Sequence, residues 1–202
     1  NHDQRIKYLI MHFTADNYQH SVRKSVDISG ISSHYLLPES HDKTYFDNNL
    51  QVIKLVNEKG SARHAGNSNW QGRETLNEQA IGIAMVNSAT CERLRSNEAE
   101  LVNGQNIAAE QMCFFLDYDP KQIDLLIKLS KEILQNNPDI SPTNILGHSD
   151  ISPLQQIDPG PRFPWFQLYQ AGIGAWYEKE AVLKYWQLFD QQKPTISLVQ
   201  AA

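Results

Sequence analysis

The chain has 202 residues, 41% of them hydrophobic, which suits one globular domain with a hydrophobic core. The formal net charge of -5 argues against a nucleic-acid partner, because phosphate binding needs clustered lysine and arginine. No apolar run approaches the roughly 18 residues that span a membrane, so no transmembrane segment is predicted.

Strand and helix patterns interleave along the chain, which predicts an α/β fold with a central mixed sheet flanked by helices. Short apolar runs bounded by polar loops predict strands at residues 7–13, 34–37, 51–56, 80–86 and 144–147. Helical spacing and capping residues predict helices at residues 21–28, 120–135, 163–171 and 178–189.

The predicted strand at residues 80–86 alternates between bulky and small side chains. One face carries Ile81, Ile83 and Met85, and must pack against a core. The other face carries only small residues, which are Ala80, Gly82 and Ala84. This small face either permits close packing or leaves room for another group to approach.

Two histidines and one aspartate stand where functional side chains tend to project from an α/β sheet. His12 ends the predicted strand 7–13, and His148 follows the predicted strand 144–147. Asp158 precedes Pro159, which pushes its backbone toward an extended conformation. Two imidazoles and a carboxylate are a known catalytic zinc set with a fourth position for water. A structural alternative stays open, in which Asp158 caps a turn and His148 packs below it.

Cys91 and Cys113 are the only cysteines. They would form one disulfide in an oxidising compartment or otherwise serve as two small buried hydrophobic residues, and the sequence favours neither. Two cysteines are too few for a zinc-finger site, so any metal must use histidine and carboxylate ligands.

Five segments resemble, in order, the type 2 N-acetylmuramoyl-L-alanine amidases, relatives of the peptidoglycan recognition proteins: IMHFT, RHAG, LNEQAIGIAMVN, LGHSDISP and DPGPRFPW. The match covers roughly residues 5–170, and its last two segments are the most specific. The resemblance implies Zn²⁺ bound by His12, His148 and Asp158, and a peptidoglycan or muropeptide substrate. It also implies that His64 lies at the cleft edge near the substrate, with a local hydrogen bond in a loop as the alternative.

The sequence departs from this family at its general base. Family enzymes carry a glutamate in the strand motif IGIE, and here Ala84 stands at that position. A methyl group cannot accept a proton, so turnover should be slow or absent, whereas zinc binding need not suffer. The alanine has two possible explanations. It is either a deliberate exchange of glutamate for alanine that traps intact substrate, or a natural feature of a non-catalytic family member that binds the cell wall without cutting it. The sequence therefore predicts a zinc amidase, with a non-catalytic muropeptide-binding protein as the alternative.

Two further positions differ from many family members. Gln156 replaces a lysine two residues before the aspartate ligand, and its amide can stabilise an oxyanion by a hydrogen bond but without a charge. Thr75 replaces a basic residue that suits a peptide carboxylate, although Arg73 is close by. Thr75 and Arg73 are thus the predicted substrate-binding residues, and the preference for diaminopimelate or lysine in the stem peptide stays open.

The segment QAGIGAW, from Gln170 to Trp176, is similar to the corresponding segment in members of the outer-membrane lipoprotein branch of the family. The resemblance implies a periplasmic or outer-membrane location in bacteria. We expect residues 1–175 to form the catalytic domain and residues 176–202 a helix and tail that lead to a cell-wall-binding domain. Because the chain begins at Asn1 without a methionine, we expect a mature or truncated chain. We also expect the protein to be a monomer.

Four aromatic residues near this end have two interpretations. They would form a surface for glycans or pack on the domain, and helical spacing favours packing. They are Trp176, Tyr177, Tyr185 and Trp186.

Overall fold

The computed structural model describes residues 5–27, 30–93, 101–102, 105–106 and 111–192. Its strands are, in chain order, β1 (Tyr8–Phe13), β2 (Tyr35–Leu37), β3 (Ile53–Lys54), β4 (Asn69–Trp70), β5 (Arg73–Glu74), β6 (Ala80–Met85), β7 (Ala89–Arg93), β8 (Leu101–Val102), β9 (Gln105–Asn106), β10 (Gln111–Phe115) and β11 (Ile145–Gly147). Its helices are α1 (Tyr18–Val26), α2 (Pro120–Asn136), α3 (His148–Ile151), α4 (Trp165–Gln170) and α5 (Lys179–Gln192), with 3-10 turns at Leu76–Glu78 and Pro142–Asn144.

The central sheet has five strands in the order β11-β1-β6-β2-β3. β1 is parallel to both β11 and β6, β2 is parallel to β6, and β3 joins β2 in the antiparallel direction. The predicted mixed sheet within an α/β fold is therefore confirmed. β3 is shorter than predicted because it is the edge strand and pairs with only two residues of β2.

The two faces of the sheet leave different amounts of space. One face packs in the main core with α2, as the alternation at residues 80–86 predicted; this core includes Leu9, Met11, Ile81, Ile83, Met85, Ile123, Leu126 and Ile133. Each such side chain contributes about 1.5–3 kcal/mol when fully buried. A smaller cluster covers the opposite face and includes Tyr8, Ile10, Leu76, Ala80, Leu146 and Ile151.

Gly82 lets a histidine approach the small face of β6. A Cβ atom at this position would lie 2.5 Å from Cγ of His64, which is too close for two non-bonded carbon atoms. The backbone of the His64 segment is held by Asn77, whose Oδ1 accepts hydrogen bonds from the N–H groups of His64 (3.0 Å) and Ala65 (2.8 Å). The small residues of β6 thus allow close packing at Gly82.

The first helix begins earlier than the sequence predicted. α1 begins at Tyr18 because Asn17 caps it, and the Asn17 side chain accepts a hydrogen bond from the N–H of His20 at 2.9 Å. Its first three residues therefore precede the predicted start at Ser21.

A two-stranded ribbon, β7 with β10, was not predicted. Cys91 and Cys113 are direct partners in this antiparallel pair, and they form a disulfide. The disulfide alternative is therefore confirmed over the buried-thiol alternative. The strands were missed because pairing across 22 residues is not visible in local sequence patterns.

The chain after α4 contributes little to the core. Ile173 is buried and Trp176 contacts Phe166 of α4 with ring centroids 5.1 Å apart, but Tyr177, Tyr185 and Trp186 are 60%, 70% and 58% exposed. The prediction that the aromatic rings pack on the domain is therefore wrong for Tyr177, which precedes α5, and for Tyr185 and Trp186, which α5 presents outward. No described helix has the length and apolarity needed to cross a membrane. The predicted boundary at residue 175 stays a prediction.

The close approach at Gly82 can be tested with a double-mutant cycle. We expect Gly82→Ala to destabilise the protein by about 1–3 kcal/mol, because the new methyl group overlaps the His64 ring. In a His64→Ala background the same change should cost less than about 0.5 kcal/mol, because the ring is gone. Urea unfolding of the four proteins measures both values. An equal cost in the two backgrounds would show that some other group opposes the methyl.

Candidate metal centre

His12 and His148 come together because β1 and β11 are parallel neighbours. Met11 pairs with Gly147, so the next residue of each strand lies at the same carboxyl edge of the sheet. Nδ1 of His12 lies 3.0 Å from Oδ2 of Asp158, and Nδ1 of His148 lies 3.1 Å from Oδ1. All three side chains are buried, and each offers a ligand atom within 4.8 Å of the other two. The structure therefore assembles the three predicted metal ligands.

The loop that carries Asp158 is anchored on both sides. The N–H of Ser149 donates to the backbone oxygen of Asp158 at 2.8 Å, and the Tyr118 hydroxyl donates to the Pro159 oxygen at 2.8 Å. The Asp158–Pro159 peptide bond is cis. A Cβ at Gly147 would lie 2.6 Å from Cδ of Pro159, so glycine is required for the loop to pack this close to β11. These contacts keep the carboxylate between the two imidazoles.

The electrostatics of the cluster keep the Asp158 carboxylate ionised and favour the neutral form of the His12 imidazole. Burial alone would raise the pKa of Asp158, but hydrogen bonds from His12 and His148 outweigh it and hold this pKa well below its usual range. Burial lowers the pKa of His12 in spite of the neighbouring Asp158. Neutral imidazoles and an ionised carboxylate are the protonation states in which these residues bind a metal.

His64 is buried behind His12. Its Nδ1 lies 3.0 Å from Nε2 of His12, which is the ring nitrogen that points away from Asp158. Its Nε2 makes no hydrogen bond of standard geometry within the described structure, although the Ala80 carbonyl lies beside the ring. Burial, and then His12 and His34, lower the pKa of His64 well below its ordinary value. His64 is thus an uncharged ring in contact with a candidate ligand.

A cavity of about 380 Å³ opens at the cluster. Its wall includes the three candidate ligands together with His64, Ala84, Gln156 and Lys24. Ala84 pairs with His12 in the adjacent strand, so the two residues lie side by side on one face of the sheet. Asp158 is the one carboxylate among the described residues that line this cavity.

The two predicted peptide-binding residues lie outside this cavity. Thr75 is exposed and lines a neighbouring cavity of about 390 Å³ with Glu74, Ser152 and Gln155. Arg73 is exposed on β5 and lines neither of these two cavities. Their role in substrate binding stays a prediction.

Sequence reasoning missed several residues that support the site. Asn77 and Ser149 lie within the quoted motifs LNEQAIGIAMVN and LGHSDISP, but their hydrogen bonds to the backbone of other segments could not be read from those motifs. Tyr118 lies outside the quoted motifs and binds the backbone of Pro159. Lys24 of α1 lines the cavity and forms an ion pair with Asp16. The sequence predicted this helix but assigned no function to it.

The donor set fits a zinc ion. Two imidazole nitrogens and one carboxylate oxygen match the ligands of catalytic zinc sites, which keep a fourth position for water or substrate. Both Nδ1 atoms point to the same carboxylate, and Nε2 of His148 is buried with no partner among the described residues. His12, His148 and Asp158 would hold the ion.

The profile of a known family matches most of the chain. The N-acetylmuramoyl-L-alanine amidase family matches residues 2–161. The chain belongs to this family. The resemblance of the five sequence segments to these amidases is thereby confirmed.

Solved structures and curated relatives agree with this assignment. AmpDh3 from Pseudomonas aeruginosa, in complex with anhydromuramic pentapeptide, superposes with a TM-score of 0.79 at 36% identity, over 96% of this chain and 70% of that one. The amidase AmiD of Escherichia coli is 37% identical over 88% of this chain. A structure of AmiD with the substrate anhydro-N-acetylmuramic acid-L-Ala-D-gamma-Glu-L-Lys gives a TM-score of 0.72 at 36% identity, over 90% of this chain and 63% of that one. The chain spans 57% of the length of the curated AmiD sequence.

The buried histidines predict a pH-dependent stability of the metal-free protein. Burial lowers the folded-state pKa of His12, His34 and His64 below the unfolded value of about 6.5. Their contribution to the free energy of unfolding is therefore complete above about pH 6.5. It is lost as the pH falls from there toward the folded-state pKa values, by up to about 1.4 kcal/mol per pH unit for each proton taken up. Asp158 stays ionised in this range, because its folded pKa is depressed.

Urea unfolding in the presence of a chelator at pH 7.5 and pH 5.0 tests this expectation. The free energy of unfolding should be lower at pH 5.0, and the difference should shrink in a His34→Gln variant, which removes one of the three groups. A free energy that is equal at both pH values would contradict the burial argument.

Proposed function

We propose that this chain is the metal-binding domain of a zinc-dependent N-acetylmuramoyl-L-alanine amidase, which hydrolyses the amide between N-acetylmuramic acid and L-alanine in peptidoglycan. The observation that carries the proposal is the convergence of His12, His148 and Asp158 at one cavity. Membership of the amidase family supports the reaction class. The muropeptides bound in AmpDh3 and AmiD support a peptidoglycan fragment as the ligand.

The residues around the cavity have distinct tasks in this reaction. Zinc, when bound, would polarise the amide carbonyl and make a water molecule more acidic. Asp158 supplies the negative charge that offsets the ion, and the two imidazoles supply neutral ligands. Gln156 lines the cavity, and its amide group would donate a hydrogen bond to the oxygen on which negative charge develops. The remaining requirement is a group that accepts the proton of the water.

Ala84 occupies the place where such a group is needed. It is the direct strand partner of His12, and adjacent strands lie about 4.8 Å apart, so a longer acidic side chain here would reach the metal ligands. Alanine cannot accept a proton, and loss of a general base typically costs about 10²–10⁴-fold in rate. We therefore propose that the chain binds zinc and muropeptides but turns over slowly.

A second candidate function is muropeptide binding without hydrolysis. The observation that favours it is the same Ala84, because Asp158 is the one carboxylate among the described residues that line the cavity and it is engaged by both histidines. The metal-ligand set argues against it, because a protein that only binds has no need for an activated water.

The location and the specificity of the protein are also proposals. We propose a periplasmic or outer-membrane location, which the Cys91–Cys113 disulfide supports because disulfides persist in oxidising compartments. Thr75 would contribute to the choice of stem peptide, because it lines the cavity beside Gln155, next to Gln156 in the chain. A monomer stays our expectation for the assembly.

Metal content is the first test of this proposal. The purified protein, loaded with zinc and desalted, should retain about one zinc per chain by elemental analysis, and a His148→Ala variant should lose it because a ligand is missing. A His20→Ala variant is the matched control, since His20 lies on α1 and is not among the candidate ligands. Absence of zinc from the parent protein would contradict the enzyme mechanism and favour the binding protein.

The second test is to install the missing base. Ala84→Glu should raise the rate of release of L-alanyl peptide from a muropeptide by about 10²-fold or more, because it supplies a proton acceptor beside His12. Ala84→Gln is the control, since it has a similar size but cannot act as a base. Zinc-loaded Ala84→Glu protein that binds the muropeptide and remains as inactive as the glutamine variant would support the non-catalytic function.

A further inference from the structure

The contact between His12 and His64 has no part in the mechanism described above. Both nitrogens of the His12 ring are engaged: Nδ1 faces Asp158 at 3.0 Å, and Nε2 faces Nδ1 of His64 at 3.0 Å. The two rings meet edge to face, with centroids 5.1 Å apart. His64 is 3% exposed, so water does not compete for this contact. His12 is therefore held from both sides.

The protein holds His64 in place with several independent contacts. The side-chain oxygen of Asn77 accepts hydrogen bonds from the backbone N–H groups of His64 and Ala65, and these bonds hold the backbone of that segment in position. Gly82 provides the room that the ring occupies against β6. His34 packs against its other side, with ring centroids 5.6 Å apart. This arrangement aims Nδ1 of His64 at one atom, Nε2 of His12.

We propose that His64 is a positioning residue that orients His12 for metal binding. This inference rests on the proposed function. If His12 held the metal through Nδ1, its ring proton would lie on Nε2, and Nδ1 of His64 would accept a hydrogen bond from it. Partners of this kind fix the tautomer and rotation of a ligand imidazole, and their loss typically costs about 10–100-fold in metal affinity.

Histidine suits position 64 better than a residue whose side chain can only accept a hydrogen bond. A neutral imidazole carries one donor and one acceptor nitrogen, so His64 can also donate to Nε2 of His12 when the proton of His12 lies on Nδ1 and binds Asp158. The same pair of atoms therefore stays bonded in either tautomer of His12. A leucine at position 64 would fill similar space but would leave Nε2 of His12 buried without a partner.

Zinc affinity of three variants separates positioning from packing. Zinc dissociation constants are measured by competition with a chromophoric chelator, for proteins whose folding is checked by circular dichroism. His64→Leu should weaken zinc binding by about 10–100-fold, whereas His64→Asn, which keeps a polar atom close to the position of Nδ1, should lose less than about fivefold. Gln122→Leu is the matched control and should also lose less than about fivefold, because Gln122 is a fully buried polar residue of α2 that binds the carbonyls of Leu37 and Val86 rather than the His12–His64 pair.

A spectroscopic measurement reports on the hydrogen bond itself. In zinc-loaded parent protein, the Nε2 proton of His12 should give a proton NMR signal that is protected from exchange with water. The signal should persist in His64→Asn and disappear in His64→Leu, because only the first keeps an acceptor.

The outcomes distinguish this inference from the proposed function. Zinc binding by His64→Leu as tight as that of the parent would overturn the positioning role and leave the amidase proposal intact. An equal loss in Gln122→Leu and His64→Leu would also overturn it, because a general loss of buried packing would then be the cause. A parent protein that binds no zinc would overturn both.

Discussion

The buried carboxylate of Asp158 is the constraint on which the site depends. An ionised carboxylate in a protein interior costs several kcal/mol unless partners compensate for the lost water. Here two imidazoles from neighbouring strands compensate, and they hold the pKa of Asp158 well below its usual range in spite of burial. The same three groups are the candidate metal ligands. A cation in this cluster would complete the compensation that the histidines begin.

The parallel pairing of β1 with β11 makes this compensation possible. It brings two segments that are more than a hundred residues apart to the same edge of the sheet, with Met11 beside Gly147. The loop of Asp158 then closes over that edge, because Ser149 and Tyr118 bind its backbone and Gly147 gives Pro159 room. The large core, to which α2 contributes, packs against the opposite face of β1 and β6.

The small face of β6 has two consequences that belong together. At Gly82 the absence of a side chain admits His64, which contacts His12. At Ala84 a small side chain lines the cavity beside His12, where a base would be useful. The three candidate metal ligands thus come together with His64 beside them, while Asp158 is the one carboxylate among the described residues that line the cavity. This combination is the basis of the proposal that the chain binds zinc and muropeptides but turns over slowly.

The sequence by itself was sufficient for the parts of the protein that local patterns express. Apolar runs located β1, β6 and β11, period-two alternation separated the bulky and small faces of β6, and a histidine at a strand end marked His12 and His148. The motifs identified Asp158 and the family. Tertiary structure alone decided the contacts that join distant segments. The bond between His64 and His12, the disulfide between two unpredicted strands, and the outward orientation of the α5 aromatic residues all depend on which surfaces meet in space. Local periodicity reports which face of an element is apolar, but it does not report what lies opposite that face.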